Sequence, residues 1–332
     1  MGSGRGARDR ADDVRGASHP AVLAWSRLTG EAPAPARVAV LKRGRKSHVY
    51  RLGALPAAGA VVAKRCPIGA ARIERMVHEE ILPDLPVPAL HWHGFIEDAD
   101  PAFGWIFMED AGNRSATSAD GALLARWLGA VHAGGGERAR RRLPERGAAQ
   151  YLAQLRAGRA RIAGYLAAAA RPGDERALLT RVVARCDEVE DRWAEVEAAC
   201  ASLPPVLVHG DLARKNLRLR NRGGRDELFA LDWEMAGWGT PVPELERLSP
   251  DRGVPDSLIR IYIARAGWTH LDRREAARLA WIGAVVRLAA CIDWAGRGLG
   301  VEGYDKPFRQ LRAYEARLAA LLAGMPRGGA GA

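Results

Sequence analysis

The sequence predicts an α+β chain in which a small antiparallel β-sheet with one helix precedes a larger, mainly helical lobe. Three observations carry that prediction. Between residues 37 and 108, short apolar runs with strand-like alternation are separated by Gly- and Pro-containing turns. From about Ser118 the composition changes to Ala, Leu and Arg at helical spacing. Inside the helical half lies one exception, VLVHGDLARKNLRLRNRGGRDELFALDWEMAGWG at Val206–Gly239, where two apolar runs each deliver an aspartate, Asp211 and Asp232.

Residues 1–17 are Gly, Arg and Asp with almost no large apolar side chains, so a disordered tail is expected. His19-Pro20 opens a short helix ended by Gly30, and EAPAPAR follows as a linker. Arg37–Leu52 reads as strand, turn, strand. Its turn holds Gly44 and Ser47 among basic side chains, and suits either a plain hairpin or a backbone cradle for phosphate. Ala60–Lys64 is a third strand, with Lys64 either solvated at its end or turned inward. The spacing over 70–82 predicts a helix with Ile73, Met76, Val77 and Ile81 on one face, Glu74 on its flank and Glu80 inside it. A carboxylate beside an apolar face needs a partner, and Lys64 is nearby. Pro83 and LPVP stop that helix. Residues 89–95 and 104–108 complete a sheet of about five strands.

The boundaries predicted on this basis are 18–110 for the first lobe, 111–324 for the second and 325–332 for a Gly-rich flexible tail. Helices are expected at 122–133, 148–170, 175–201, 256–266, 273–287 and 304–322, with the basic run 138–146 as solvated surface.

The bulk numbers narrow the class. Apolar content of 48% and charged content of 27% are globular values. The net charge of +11 suits anionic ligands, or simply reflects an Arg-rich composition. RNA-binding aromatic signatures and zinc-finger spacings are missing, which disfavours nucleic acid. Cys66, Cys186, Cys200 and Cys291 form no CxxC pair, pointing to a reduced, cytoplasmic protein. The N-terminus has no apolar signal-peptide core. The most apolar later segment, Trp281–Ala295, is interrupted by Arg287 and Asp293 and reads as too short and charged for a membrane span. The sequence carries no signal for an oligomeric state.

The residues of the central stretch have a chemical use. Asn216 follows Asp211 by five positions. An amide and a second acid can hold a metal while the first acid faces an incoming hydroxyl. Taken singly, Asp211 and Asn216 would cap a turn, and Asp232 would end a strand.

HGDLARKN followed by LDWEMAG resembles the aminoglycoside phosphotransferase and choline kinase family, relatives of the protein kinases. The resemblance extends over nearly the whole chain beyond the N-terminal linker. It implies a protein-kinase-like bilobal fold and an ATP-dependent phosphotransferase, with GTP as an alternative donor. The acceptor would be a hydroxyl of a small molecule: an aminoglycoside-like antibiotic, an amino alcohol or a sugar-like metabolite. It further implies Asp211 as the catalytic acid–base group, and Asn216 and Asp232 as ligands of Mg²⁺. Lys64 would contact the nucleotide phosphates. Glu74 would hold it, chosen for its place before LPVP, with Glu80 as runner-up. Gly44 and Ser47 would lie over the phosphates, Met108, Glu109 and Asp110 beside the base, and His209 would brace the loop. Three features depart from the family pattern. The turn RGRKS is unusually basic, Lys215 adds a charge beside Asn216, and Glu244 in GTPVPELERL stands where the family commonly has aspartate.

The alternative is a catalytically silent nucleotide-binding regulator. A protein kinase is disfavoured by the short segment between Asn216 and Glu244. For the acceptor, Asp251, Asp256, Asp293 and Glu302 could meet a polycation, but many arginines share that region. Trp268, Trp281 and Trp294 could face a quaternary amine or pack in the core.

Overall fold

The computed structural model describes residues 14–33, 37–44, 46–55, 59–168, 173–248, 255–301 and 305–324. Residues 1–13 of the tail expected at 1–17, and the tail expected at 325–332, lie outside them, as does Arg45. The chain forms two compact units, Met1–Thr117 with Ala213–Ala236, and Ser118–Leu212 with Gly237–Ala332. The first unit therefore runs past the boundary expected at residue 110 and takes in a hairpin expected in the second lobe. Backbone pairing is the reason. Ser115 bridges Arg218, the Ala116 amide donates to the Leu217 carbonyl, and the Leu219 amide to the Arg114 carbonyl.

The first unit starts with β1 (Val14–Arg15), whose residues pair with Val38 and Arg37, so the expected tail is ordered at its end. In α1 (Pro20–Thr29), the His19 ring accepts from the Ala21 amide, and Gly30 closes the helix at φ 75°, a left-handed position glycine occupies without strain. The strands β2 (Arg37–Arg43), β3 (His48–Leu55) and β4 (Gly59–Pro67) are followed by α2 (Ile68–Met76), β5 (Trp92–Glu97) and β6 (Phe103–Glu109). All pairings are antiparallel, in the order β1-β2-β3-β4-β6-β5. Trp25, Leu52, Val61, Trp105 and Phe107 fill a core between α1 and the sheet. Burial of each such side chain contributes roughly 1.5–3 kcal/mol.

The helix expected over 70–82 changes type midway. A π-helical turn, Val77–Ile81, follows α2, and a 3-10 turn, Leu82–Asp84, contains Pro83. Five-residue hydrogen-bond spacing rotates later side chains off the ordinary helical wheel. Within α2, Ala71 and Glu74 are buried while Ile73 and Met76 are only half-buried, and in the π turn Val77, His78 and Ile81 are buried.

The second unit begins with α3 (Gly121–Ala133), α4 (Gly136–Arg142), β7 (Glu145–Arg146) and α5 (Ala148–Ala168). The basic run partly forms α4, where exposed Arg140 and Arg141 share Glu137. The helix expected over 175–201 is two helices, α6 (Gly173–Asp191) and α7 (Trp193–Ala201). The strand β8 (Val206–Val208) follows.

The chain then contributes a hairpin to the first unit: β9 (Leu217–Arg222) and β10 (Arg225–Ala230). Gly223 and Gly224 both have positive φ, as a two-residue turn with the twist of its strands requires. Back in the second unit, β11 (Gly237–Gly239) lies between β7 and β8. The remaining helices are α8 (Val242–Leu245), α9 (Asp256–Ala266), α10 (Arg273–Gly296) and α11 (Lys306–Ala323).

The longest of these, α10, runs well beyond the expected end at Arg287. By length and composition it could cross a membrane, yet 83% of its most apolar stretch is buried inside the molecule. It packs against α5, α8 and α11. A Cβ on its Gly283 would lie 2.0 Å from the Val242 carbonyl oxygen, so only glycine permits the approach of α8.

Candidate active site

The first unit contains a cavity of about 430 Å³. Lys64, Glu74, Met108, Glu109, Asp110, Asn216 and Asp232 all line it. Lys64 comes from the middle of β4 and is turned inward, 6% exposed. Its Nζ lies 2.5 Å from Glu74 Oε1, bonds Asp232 Oδ1 and lies 3.4 Å from Glu234 Oε2. Burial alone would favour a neutral amine, but the surrounding carboxylates prevail and hold the ammonium well above its usual range. One ammonium cannot offset all three acids. The most buried, Glu74, is pushed up to about 7 by burial against the pull of Lys64. Of the two glutamates considered, Glu74 is thus the partner, and α2 presents it before the π turn begins.

Asp232 begins the 3-10 turn Trp233–Met235 at φ 69°, the one left-handed residue other than glycine among the described residues. Such strain collects at functional positions. Burial raises its carboxyl, but Lys64, with Lys42 and Lys215, outweighs that and keeps it below the usual range. Trp233 anchors the turn in the core, its indole N–H donating to the Ala230 carbonyl. Asn216 closes a short turn before β9, and its carbonyl accepts from the Leu231 amide at 2.8 Å. With Ala230 paired to Leu217, Asn216 and Asp232 leave the same end of the hairpin. An amide and a carboxylate there are the hard oxygen donors that Mg²⁺ takes. Glu74, Asp232 and Glu234 also bring oxygens within 4.8 Å of one another. The Lys64 ammonium bonds all three, so this cluster is a cage for that cation.

Gly44 and Ser47 do not line the cavity. The Gly44 amide donates to the Ser47 carbonyl at 2.9 Å and closes the turn, while Lys42 from β2 is the basic residue on the cavity wall. Met108 is buried in β6. The Glu109 and Asp110 amides are engaged by His91 and Ala60 carbonyls, and their carboxylates lie 2.5 Å from Arg220 and Arg51 respectively.

Asp211 belongs to the second unit, just after β8. Arg287 from α10 places Nη2 3.2 Å from its Oδ1. The loop is braced from below. His209 is fully buried and its Nδ1 accepts from the Asp211 amide. Glu244 from α8 accepts from the Gly210 amide at 2.8 Å and lies 3.1 Å from His132 Nε2. His132 Nδ1 in turn meets the Tyr262 hydroxyl at 2.8 Å. Burial raises the Glu244 carboxyl, but the bond to His132 prevails and holds it low. The longer arm of glutamate therefore still reaches the loop.

Sequence reasoning missed Arg287, His132 and Tyr262 as partners of this loop. For Arg287 a signal existed: an arginine inside the most apolar helix needs a buried acid. Asp293 was the other interruption, and it is neutralised by Arg161 and Arg297.

The profile of the phosphotransferase enzyme family matches residues 37–282. No curated protein matches the sequence. Among solved structures, choline kinase from Cryptosporidium parvum aligns with a TM-score of 0.60 at 11% identity, covering 87% of this chain and 89% of its own. A mutant aminoglycoside 2'-phosphotransferase-IIIa in its GDP complex aligns with a TM-score of 0.62 at 14% identity, covering 91% and 99%. A thermostable mutant of aminoglycoside phosphotransferase APH(4)-Ia, in ternary complex with ADP and hygromycin B, gives 0.56 at 14% identity, covering 95% and 100%. These likenesses show a shared protein-kinase-like fold. The profile covers most of the sequence, and the chain belongs to the phosphotransferase enzyme family, as a phosphotransferase.

Proposed function

We propose that this protein transfers the γ-phosphoryl group of ATP, bound with Mg²⁺, to a hydroxyl of a small molecule. The observation that carries the reading is Lys64, held by Glu74 and Asp232 on the wall of the cavity. Phosphoryl transfer depends on positioning and charge neutralisation more than on covalent chemistry. Lys64 would neutralise phosphate oxygens, with Lys42, Arg51 and Lys215 also on the cavity wall. Mg²⁺ held by Asn216 and Asp232 would offset charge on the transferred group. The Glu109 and Asp110 amides are occupied, so the base edge would meet neighbouring backbone such as Ala111, which also lines the cavity. Backbone recognition accommodates GTP as well as ATP. Asp211 would take the hydroxyl proton as the acceptor oxygen bonds phosphorus and the bond to the departing nucleoside diphosphate breaks. The contact with Arg287 orients that carboxylate. We place the enzyme in the cytoplasm, on the strength of its four free cysteines.

Purified protein given Mg-ATP and pooled hydroxylated metabolites and antibiotics should release ADP only when an acceptor is present. Tight ATP binding with no transfer to any pool would favour the silent regulator instead.

A further inference from the structure

The acceptor side of Asp211 is built from guanidinium groups. Arg287 touches Asp211 from α10, and Arg247 projects from the 3-10 turn Glu246–Leu248, which packs on the same helix. Arg247 Nη2 lies 2.7 Å from Glu246 Oε2, and Arg317 Nη2 lies 2.5 Å from Glu246 Oε1. The cluster therefore sets three cations against two carboxylates. Arg247 Nε is buried with no hydrogen-bond partner. Burial, and then the charge of Arg287, pulls Arg247 down to about 10. An arginine so placed gains from an added anion, which would satisfy its open donor and separate two like charges.

Several features that could recognise a cation are used elsewhere. Asp256 lies 2.6 Å from Arg273, and Asp293 is fully buried between Arg161 and Arg297. Asp251 and Glu302 fall outside the described residues. Trp268 is buried, stacked on His132 and packed against Tyr262.

We propose that the acceptor is a small alcohol carrying an anionic group, a carboxylate or a phosphate, which Arg247 and Arg287 bind while its hydroxyl faces Asp211. This rests on the phosphotransferase reading above. It selects against polycationic and quaternary-amine acceptors, which would meet two guanidinium groups with no spare carboxylate among the described residues of the cluster.

Two measurements on the full chain test it. In the first, Mg-ATP is offered with separate pools of hydroxycarboxylates, phosphorylated polyols, neutral sugars, and aminoglycosides with amino alcohols. ADP release is expected with one of the two anionic pools, which also tells carboxylate from phosphate. For that acceptor, Arg247→Gln should raise KM about tenfold, the scale of one charged hydrogen bond, and Arg247→Lys should recover part of the loss. Release only with neutral or cationic pools, or a KM unmoved in Arg247→Gln, overturns the proposal.

The second measurement needs no transfer. Cys291 lies one turn beyond Arg287 on α10 and is half-buried, while the other three cysteines are buried. Its labelling by an anionic and a cationic thiosulfonate is followed by peptide mass. The anionic reagent should react faster, and Arg247→Gln should shrink its advantage. Equal rates, or an advantage unchanged in Arg247→Gln, overturn the proposal. Faster anionic labelling with ADP released from no pool supports the anion site and counts against the phosphotransferase reading alone.

Discussion

The two units each set a candidate site aspartate against a cation, and they do so with opposite surpluses. In the first, one ammonium, Lys64, is shared by Glu74, Asp232 and Glu234. In the second, Arg287, Arg247 and Arg317 face only Asp211 and Glu246 among the described residues. On the proposed function, the carboxylate that Lys64 does not offset would suit a divalent cation and the phosphates it carries. Surplus guanidinium prepares a place for an anion. The sign of the leftover charge thus separates two sites that share the same local motif of an acid gripped by a base.

The sharpest way to break this comparison is Asp211→Ala. Removing the group proposed to accept the proton should cut turnover by about 10²–10⁴-fold, read as acceptor-dependent ADP release. Near-normal turnover would take the chemistry away from the second unit. Next in size is Lys64→Ala. It leaves the Glu74 carboxyl buried without its partner, and should cost about 3–5 kcal/mol in denaturant unfolding. Glu74→Gln should restore part of that loss in the double variant, and a strictly additive double variant would show that the two do not act as a pair.

A smaller effect is expected at the brace. Glu244→Ala strands the Gly210 amide and His132, at about 1–3 kcal/mol of stability. Turnover should fall by less than in Asp211→Ala. The last is a pH effect in the first unit. His78 is buried and stacked on Trp92. Burial, then the charge of Lys64, lowers it from 6.5 to about 4. The unfolded chain takes up this proton near 6.5 and the folded protein only near 4. Its contribution to stability is therefore complete above 6.5 and is lost as pH falls from 6.5 towards 4. In His78→Phe the stability profile across that window should flatten, and an unchanged slope would assign it to another group.

Much of this was legible in the sequence, and unevenly so. The sheet, its turn glycines and the helices followed from periodicity because each element is amphipathic. The residues lining the cavity came from motifs, since their order along the chain carries the information. The choice of Glu74 over Glu80 did not follow from a helical wheel, because the π turn at Val77–Ile81 changes the angle per residue. The compact first unit runs past residue 110 because pairing of Ser115 and Ala116 with the hairpin joins segments about a hundred residues apart. Arg247 was one arginine among many, whereas Arg287 stood out inside the most apolar helix. Only the packing of α10 under the 3-10 turn reveals which of them reach Asp211 and its neighbours.

The central claim is a division of labour, with metal and nucleotide held by the first unit and proton transfer carried by Asp211. A calorimetric titration of Mg-ATP into the wild type, Asp211→Ala and Asp232→Ala tests it most directly. Asp211→Ala should bind nearly as tightly as the wild type, and Asp232→Ala should bind about tenfold or more weakly. Equal loss of affinity in both variants, or none in Asp232→Ala, would contradict it.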